Sequence, residues 1–148
     1  MIELLLFLHI LLFVFAFTFT AGISILLGRV AASGDAKIIH TSFTAARPLS
    51  MTGGILWLLT ALVGVGLAHA YGLALTTPWL VYSYIVFAVL ILTGALLHNP
   101  WQAKVIAASG SGGAELGALL QSPIHRIASG VSAVSVLTLI YLMTAKPG

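Results

Sequence analysis

The chain has 148 residues, of which 60% are hydrophobic and only 6% are charged. Soluble domains carry about 25% charged residues, so this composition and a mean hydropathy of +1.15 are typical of a polytopic membrane protein. The net charge of +3 comes from scattered cations that form no basic patch, and a nucleic-acid partner is therefore not expected.

The first predicted element is a long apolar helix that contains one ionisable side chain. Residues 4–27 form a near-continuous hydrophobic run, which predicts a retained transmembrane span over residues 2–28 rather than a cleaved signal peptide. His9 lies well inside this run, where an unpaired polar group would cost several kcal/mol, so the imidazole needs a partner. On a helical wheel His9 shares a narrow face with Ala16 and Thr20. Small and hydroxylated residues on that face favour contact with other helices.

Proline residues punctuate the rest of the chain. Pro48, Pro78 and Pro123 each suit the first turn of a helix, where the missing N–H is harmless. Asn99 and Pro100 are predicted to end the third span, and a short surface helix is expected over residues 115–120. The predicted spans cover residues 2–28, 49–75, 79–98 and 124–144, separated by polar connections at 29–47 and 104–121 and by a short uncharged hairpin. We therefore predict an all-α fold, an antiparallel bundle of four transmembrane helices that forms a single membrane domain over residues 1–148.

The distribution of cations predicts the orientation of this bundle. Five of the six lysine and arginine side chains flank the two polar connections, whereas the opposite end has only Lys146. The five are Arg29, Lys37, Arg47, Lys104 and Arg126. The positive-inside rule then places both connections in the cytoplasm and both termini outside. The expected surroundings are the lipid bilayer of a bacterial inner (cytoplasmic) membrane, with Trp79 and Trp101 as anchors at its interfaces.

Four of the five histidines fall into two predicted layers. His9 and His69 each lie roughly 10 Å from the external end, provided that the second span extends to its predicted limit. His98 ends the third span and His125 opens the fourth, so both lie near the cytoplasmic end, about 20 Å from the outer layer. His40 is predicted to be solvated in the first connection.

Paired imidazoles in a helical bundle suggest a b-type haem, because facing histidines at one depth can bind the iron axially. The leading hypothesis is therefore a haem-b electron-transfer protein or oxidoreductase. His9 and His69 would be the ligands of an outer haem, and His98 and His125 those of an inner one. Arg126 could neutralise a propionate of the inner haem, and a quinone is one candidate redox partner.

Two alternatives stay open. Imidazoles also suit copper, and with no cysteine in the chain the same histidines would be the ligands of a copper-handling membrane protein. Alternatively, the chain is a non-catalytic accessory subunit of a larger membrane complex, in which His9 hydrogen-bonds a neighbouring helix at a residue such as Thr60 or Ser83. No span contains an interior Asp or Glu, so a proton-coupled transporter would lack its usual relay groups.

Two segments carry a family resemblance. LHILLFVFAFTFTAG, the basic connection after it, and PWLVYSYIVFAVLILTG resemble the small four-helix membrane proteins allied to copper resistance protein D and HemJ-type protoporphyrinogen oxidase. The resemblance covers most of the chain. It implies that a b-type haem, a related tetrapyrrole or copper is handled near His9. HemJ-type proteins also carry an intramembrane lysine, which the second, third and fourth spans here do not contain. The layout is similar to that of cytochrome b561-type carriers as well.

Overall fold

Helices make up the regular structure of this chain. The computed structural model describes residues 1–111 and 115–147, and within those ranges no strand occurs. The helices are α1 (Ile2–Ala31), α2 (Ala36–Ala70), α3 (Pro78–Ser111), α4 (Glu115–Leu120) and α5 (Pro123–Ala145). Each of α1, α2, α3 and the combined segment of α4 and α5 is long and apolar enough to cross a membrane. The all-α class and the four apolar helices are therefore confirmed.

Helices α1 and α2 pack as an antiparallel pair. His9 near the start of α1 contacts Gly64 near the end of α2, whereas Leu27 near the end of α1 packs with Phe43 near the start of α2. Between these points Thr20 touches the position of Gly53. The predicted interior face of α1 is therefore confirmed as the face that meets α2.

Helices α3 and α5 form the second antiparallel pair. His98 in α3 contacts Ser132 in α5, and the Lys146 ammonium group, just after α5, lies 5.8 Å from the ring centroid of Trp79 at the start of α3. The two pairs meet in a central cluster around Trp57 of α2. The other buried members of that cluster are Ala16, Leu90, Val136 and Leu139.

The structure corrects the predicted start of the second span. Helix α2 begins at Ala36, where the carboxylate of Asp35 accepts hydrogen bonds from the backbone N–H groups of Lys37 (2.9 Å) and Ile38 (3.1 Å). Pro48 lies inside this helix rather than in its first turn. Most of the predicted connection over residues 29–47 is therefore helical, and Asp35 is the N-cap that begins α2.

The predicted end of the third span is also wrong. Helix α3 runs through Asn99 and Pro100 to Ser111, with a π-helical turn at Gly94–His98 directly before them. In that turn the Asn99 N–H donates to the carbonyl of Gly94, five residues earlier. Proline has no N–H to give to the helix, and a local change of hydrogen-bond register beside it allows α3 to continue.

These extensions pack against one another at the end of the bundle where α1 ends and α2 begins, here called the loop end. Ile39, Phe43 and Val105 are fully buried there. The cluster is completed by Leu27, Ala108 and Leu116, the last of which belongs to the predicted surface helix α4. At 1.5 Å per residue the 35 residues of α2 span about 52 Å, which exceeds the roughly 30 Å hydrocarbon thickness of a bilayer.

The opposite end of the bundle contains a short connection between α2 and α3. Helix α2 ends at Ala70 rather than at residue 75, and Gly72 follows with a φ of +71°, a left-handed conformation that glycine adopts without strain. Thr77 then occupies the N-cap position of α3 without a side-chain capping hydrogen bond, and Pro78 is the first residue of the helix. The connection over residues 71–77 is uncharged, as predicted, but it is longer than the predicted hairpin because the second span ends earlier than residue 75.

The outer surface of the helices is apolar. Large aliphatic side chains on every spanning segment are more than half exposed, which is unfavourable in water and suits contact with lipid chains. Examples are Ile25, Leu62, Leu96, Ile127, Val134 and Leu137.

Candidate functional site

His9 has a hydrogen-bond partner on α2. Its Nδ1 lies 2.9 Å from the backbone carbonyl oxygen of Thr60. A carbonyl only accepts, so Nδ1 must carry the proton, and in the neutral ring Nε2 keeps its lone pair. Thr60 was one of the two helix partners considered from the sequence. The other, Ser83, donates its hydroxyl to the carbonyl of Trp79 instead.

Gly64 makes room for the His9 ring. A methyl group at Gly64 would lie 2.7 Å from Cε1 of His9 and 3.2 Å from its Nδ1. Only glycine therefore permits the ring to lie against α2 in this position. Two to three turns further along the pair of helices, the Trp57 Nε1–H donates to the hydroxyl of Thr20 over 3.2 Å.

His69 does not share the face of α2 that meets His9. It lies in the last turn of α2, its side chain is exposed, and it is about 140° around the helix from Gly64 at 100° per residue. The pairing with His9 depended on the second span continuing past Ala70, and α2 ends there. The structure does not bring His9 and His69 together as the predicted outer layer requires.

The predicted inner pair does come together. The ring centroids of His98 and His125 are 5.3 Å apart, with an interplanar angle of 88°. His98 is the last residue of the π-helical turn in α3, and His125 lies in the first turn of α5. Both rings are half-buried, and Nε2 of His98 also lies 3.2 Å from the hydroxyl oxygen of Ser132. Ser132 follows His125 by seven residues, or about two turns, and so lies on the same face of α5.

One polar atom of this pair has no hydrogen-bond partner. Nδ1 of His125 is fully buried, and no group among the described residues bonds to it. An unsatisfied buried polar atom of this kind costs about 1–3 kcal/mol in a folded protein. A site at which such an atom persists is a natural candidate for binding a ligand or an ion.

Trp101 completes the pair. Its ring lies face to face with that of His125, with centroids 3.5 Å apart and an interplanar angle of 6°. Its Nε1–H donates to the carbonyl of Leu119 over 2.9 Å, and its ring meets that of Phe43 at 5.7 Å. Trp101 was predicted to be an anchor at the membrane interface, but its ring packs against other side chains of the protein. The sequence gives no signal for the stack, because 24 residues separate the two rings.

Within the described residues, His40 and the remaining candidate, Arg126, form no hydrogen bond or ring contact with the His98–His125 pair. His40 is half-buried in α2 rather than solvated in a loop, and its Nδ1–H donates to the carbonyl of Ile106 over 3.0 Å. Arg126 is exposed on the first turn of α5, next to His125 in the chain. The guanidinium therefore remains at the surface of the loop end.

The separation of the His98 and His125 rings bears on the cofactors that the sequence suggests. Two axial imidazoles on one haem iron would hold their centroids about 6 Å apart with the porphyrin between them, since each metal–nitrogen bond is about 2 Å. The observed edge-to-face contact leaves no gap for a porphyrin between these rings. Two imidazoles at neighbouring corners of a tetrahedral metal ion would be about 5 Å apart, close to the spacing found here.

The protein offers such an ion few further ligands. Within residues 1–111 and 115–147, no group of three or more His, Cys, Asp or Glu side chains is arranged to hold a metal. The hydroxyl oxygen of Ser132, 3.2 Å from Nε2 of His98, is one additional oxygen that the pair contacts. The pair therefore suits an ion that accepts two imidazoles and completes its coordination with a hydroxyl group or water.

Comparison with known proteins assigns neither a family nor a function to this chain. No family model, no curated protein and no solved structure matches this chain.

Proposed function

We propose that this chain is an integral membrane protein that binds a copper ion between α3 and α5, with His98 and His125 as ligands. The observation that supports this proposal is the buried, unpartnered Nδ1 of His125 beside the ring of His98. A metal ion bound by the pair would satisfy that nitrogen.

Copper is favoured over other metal ions by the available donors. The pair provides neutral imidazoles and no thiolate or carboxylate, and copper forms the strongest complexes with such ligands in the first-row series. The resemblance to proteins allied to copper resistance protein D is compatible with copper, although what it implies is a haem, a tetrapyrrole or copper near His9 rather than at this pair. We further propose that the loop end faces the cytoplasm of a bacterial cell, since five of the six cations lie at or near it.

The test is metal analysis of the purified protein. Cells grown with added copper and a haem precursor would supply protein in mild detergent, for measurement of its copper content and visible spectrum. We expect about one copper ion per chain in the wild type, and loss of that copper in both His98→Ala and His125→Ala. His69→Ala is the matched control, because His69 is exposed and lies at the opposite end of the bundle. Copper that persists in the two variants of the pair would refute this site.

A haem-b protein is the second candidate function, favoured by one observation at His9. The hydrogen bond to the Thr60 carbonyl fixes the Nδ1–H tautomer and leaves the Nε2 lone pair for a metal. A haem held there, for electron transfer with a partner such as a quinone, would give the same purified protein a Soret band and sharp reduced α and β bands. Those bands should be lost in His9→Ala and kept in His98→Ala.

A colourless protein without bound metal would contradict both candidates. It would leave the role of an accessory subunit in a larger membrane complex, for which the hydrogen bond of His9 to α2 is a structural contact between helices.

A further inference from the structure

Trp101 makes the largest contact with the unpartnered histidine. Nearly parallel rings 3.5 Å apart place the indole against one whole face of the His125 imidazole. The edge of the His98 ring approaches the same imidazole at 88°. His125 is therefore held by an aromatic plane on one side and by its partner histidine on another.

The Trp101 ring is itself fixed by two other elements. Its N–H bonds the carbonyl of Leu119 at the end of α4, and the fully buried Phe43 of α2 meets it edge-on. Both elements belong to the packed loop end. The indole therefore cannot turn without disturbing contacts to α2 and α4, and its plane is defined before any ion binds.

We infer that Trp101 is the positioning residue of the copper site, which sets the plane of the His125 ring so that its buried nitrogen is directed for coordination. This inference rests on the proposed function. An imidazole in a half-open site would otherwise rotate about χ2, and the ion would have to fix that torsion on binding. Groups that orient a ligating histidine typically change metal affinity by about 10–100-fold when they are removed.

Two substitutions separate stacking from general packing. Trp101→Phe keeps an aromatic face against His125 but loses the N–H that bonds Leu119, whereas Trp101→Leu loses both. Trp79→Leu is the matched control, because Trp79 is also buried but lies at the start of α3, at the other end of the bundle.

Copper affinity is the first measurement, made by competition with a chromophoric chelator on full-length protein in detergent. We expect Trp101→Leu to bind copper about tenfold or more weakly. Trp79→Leu should stay close to the wild type, and Trp101→Phe, which keeps the stacked face but lacks the bond to Leu119, should lose less affinity than Trp101→Leu. Unchanged affinity in Trp101→Leu, or an equal loss in Trp101→Phe and Trp101→Leu, would overturn the inference.

Two spectroscopic measurements address the geometry of the site. The electron paramagnetic resonance spectrum of the bound Cu(II) should change in Trp101→Leu but not in Trp79→Leu, because only the first alters the orientation of a ligand. Cu(II) should also quench the tryptophan emission of the wild type more than that of Trp101→Phe. The quenching comparison uses only the wild type and Trp101→Phe, so it does not depend on whether Trp101→Leu folds. Equal quenching in both proteins would contradict the stack at the site.

The outcomes separate this inference from the proposed function. A wild-type protein that binds no copper through His98 and His125 refutes both. A wild-type protein that binds copper through this pair, with affinity and spectrum unchanged in Trp101→Leu, refutes only the role of Trp101.

Discussion

Gly64→Ala tests the contact between His9 and α2 most directly. The added methyl carbon would lie 2.7 Å from Cε1 of His9, whereas carbon atoms in contact are about 3.5–4.0 Å apart, so the ring must withdraw by about 1 Å. The bond from Nδ1 to the Thr60 carbonyl is 2.9 Å long and would be lost by such a shift. A lost hydrogen bond of this kind costs about 0.5–1.5 kcal/mol and moderate overpacking about 1–3 kcal/mol. We therefore expect Gly64→Ala to lower the free energy of unfolding by about 2 kcal/mol.

The assay is equilibrium unfolding of the detergent-solubilised protein with sodium dodecyl sulfate, followed by circular dichroism. Gly66→Ala is the matched control, since Gly66 lies in the same helix and a methyl group there would meet nothing within 4 Å. Alanine is the better helix former, so this control should be neutral or stabilising by up to about 1 kcal/mol.

A double-mutant cycle with His9→Ala isolates the contact. All three nearest atoms to the added carbon belong to His9, so removal of the imidazole should abolish the cost of Gly64→Ala. The reasoning is refuted if Gly64→Ala is as stable as Gly66→Ala. It is refuted equally if the cost of Gly64→Ala remains in the His9→Ala background.

Two further predictions concern the rest of the bundle. Gly53→Ala should destabilise the α1–α2 pair by about 1–3 kcal/mol in the same unfolding assay, because the methyl group would lie 3.1 Å from the backbone of Phe19, which cannot rotate away. Gly54→Ala is the control, because a methyl group there would meet nothing within 4 Å, and it should not destabilise the pair. Equal losses of stability in the two variants would contradict this account. The topology can be tested with single cysteines, because the chain has no native cysteine. Ser33→Cys and Leu73→Cys report on opposite ends of the bundle. An impermeant maleimide should label the cysteine at position 73 in intact spheroplasts and the one at position 33 only after permeabilisation, and the reverse pattern would invert the proposed orientation.

The sequence alone determined the helical class and the interior face of α1. Long uncharged runs can satisfy their backbone in lipid only as helices, so hydropathy predicts the number of apolar helices directly. The interior face of α1 follows from helical periodicity, and Ala16 on that face is fully buried. The uncharged connection before Pro78 was also predictable, since the helix start at Thr77 and Pro78 and a left-handed glycine define it.

Tertiary packing decided the lengths of the helices. Pro48 and Pro100 were interpreted as a helix start and a helix stop, yet both lie within helices. The extensions are stabilised by burial of Ile39, Phe43 and Val105 against each other, and that gain outweighs the local cost of proline. The sequence signal for the true start of α2 is Asp35, a typical N-cap residue. Two apolar residues one turn apart, Ile39 and Phe43, follow it and form the buried face of the helix.

The candidate site shows the same division. The sequence placed His98 and His125 at one end of the bundle, and Thr60 among the possible partners of His9, because depth along a helix can be counted from its residues. It also paired His9 with His69, which the structure does not bring together, since α2 ends at Ala70 and His69 is exposed away from the face that meets α1. Which rings meet depends on the rotation of each helix about its axis, and packing between helices sets that rotation. The stack of Trp101 on His125 is therefore a property of the tertiary structure alone.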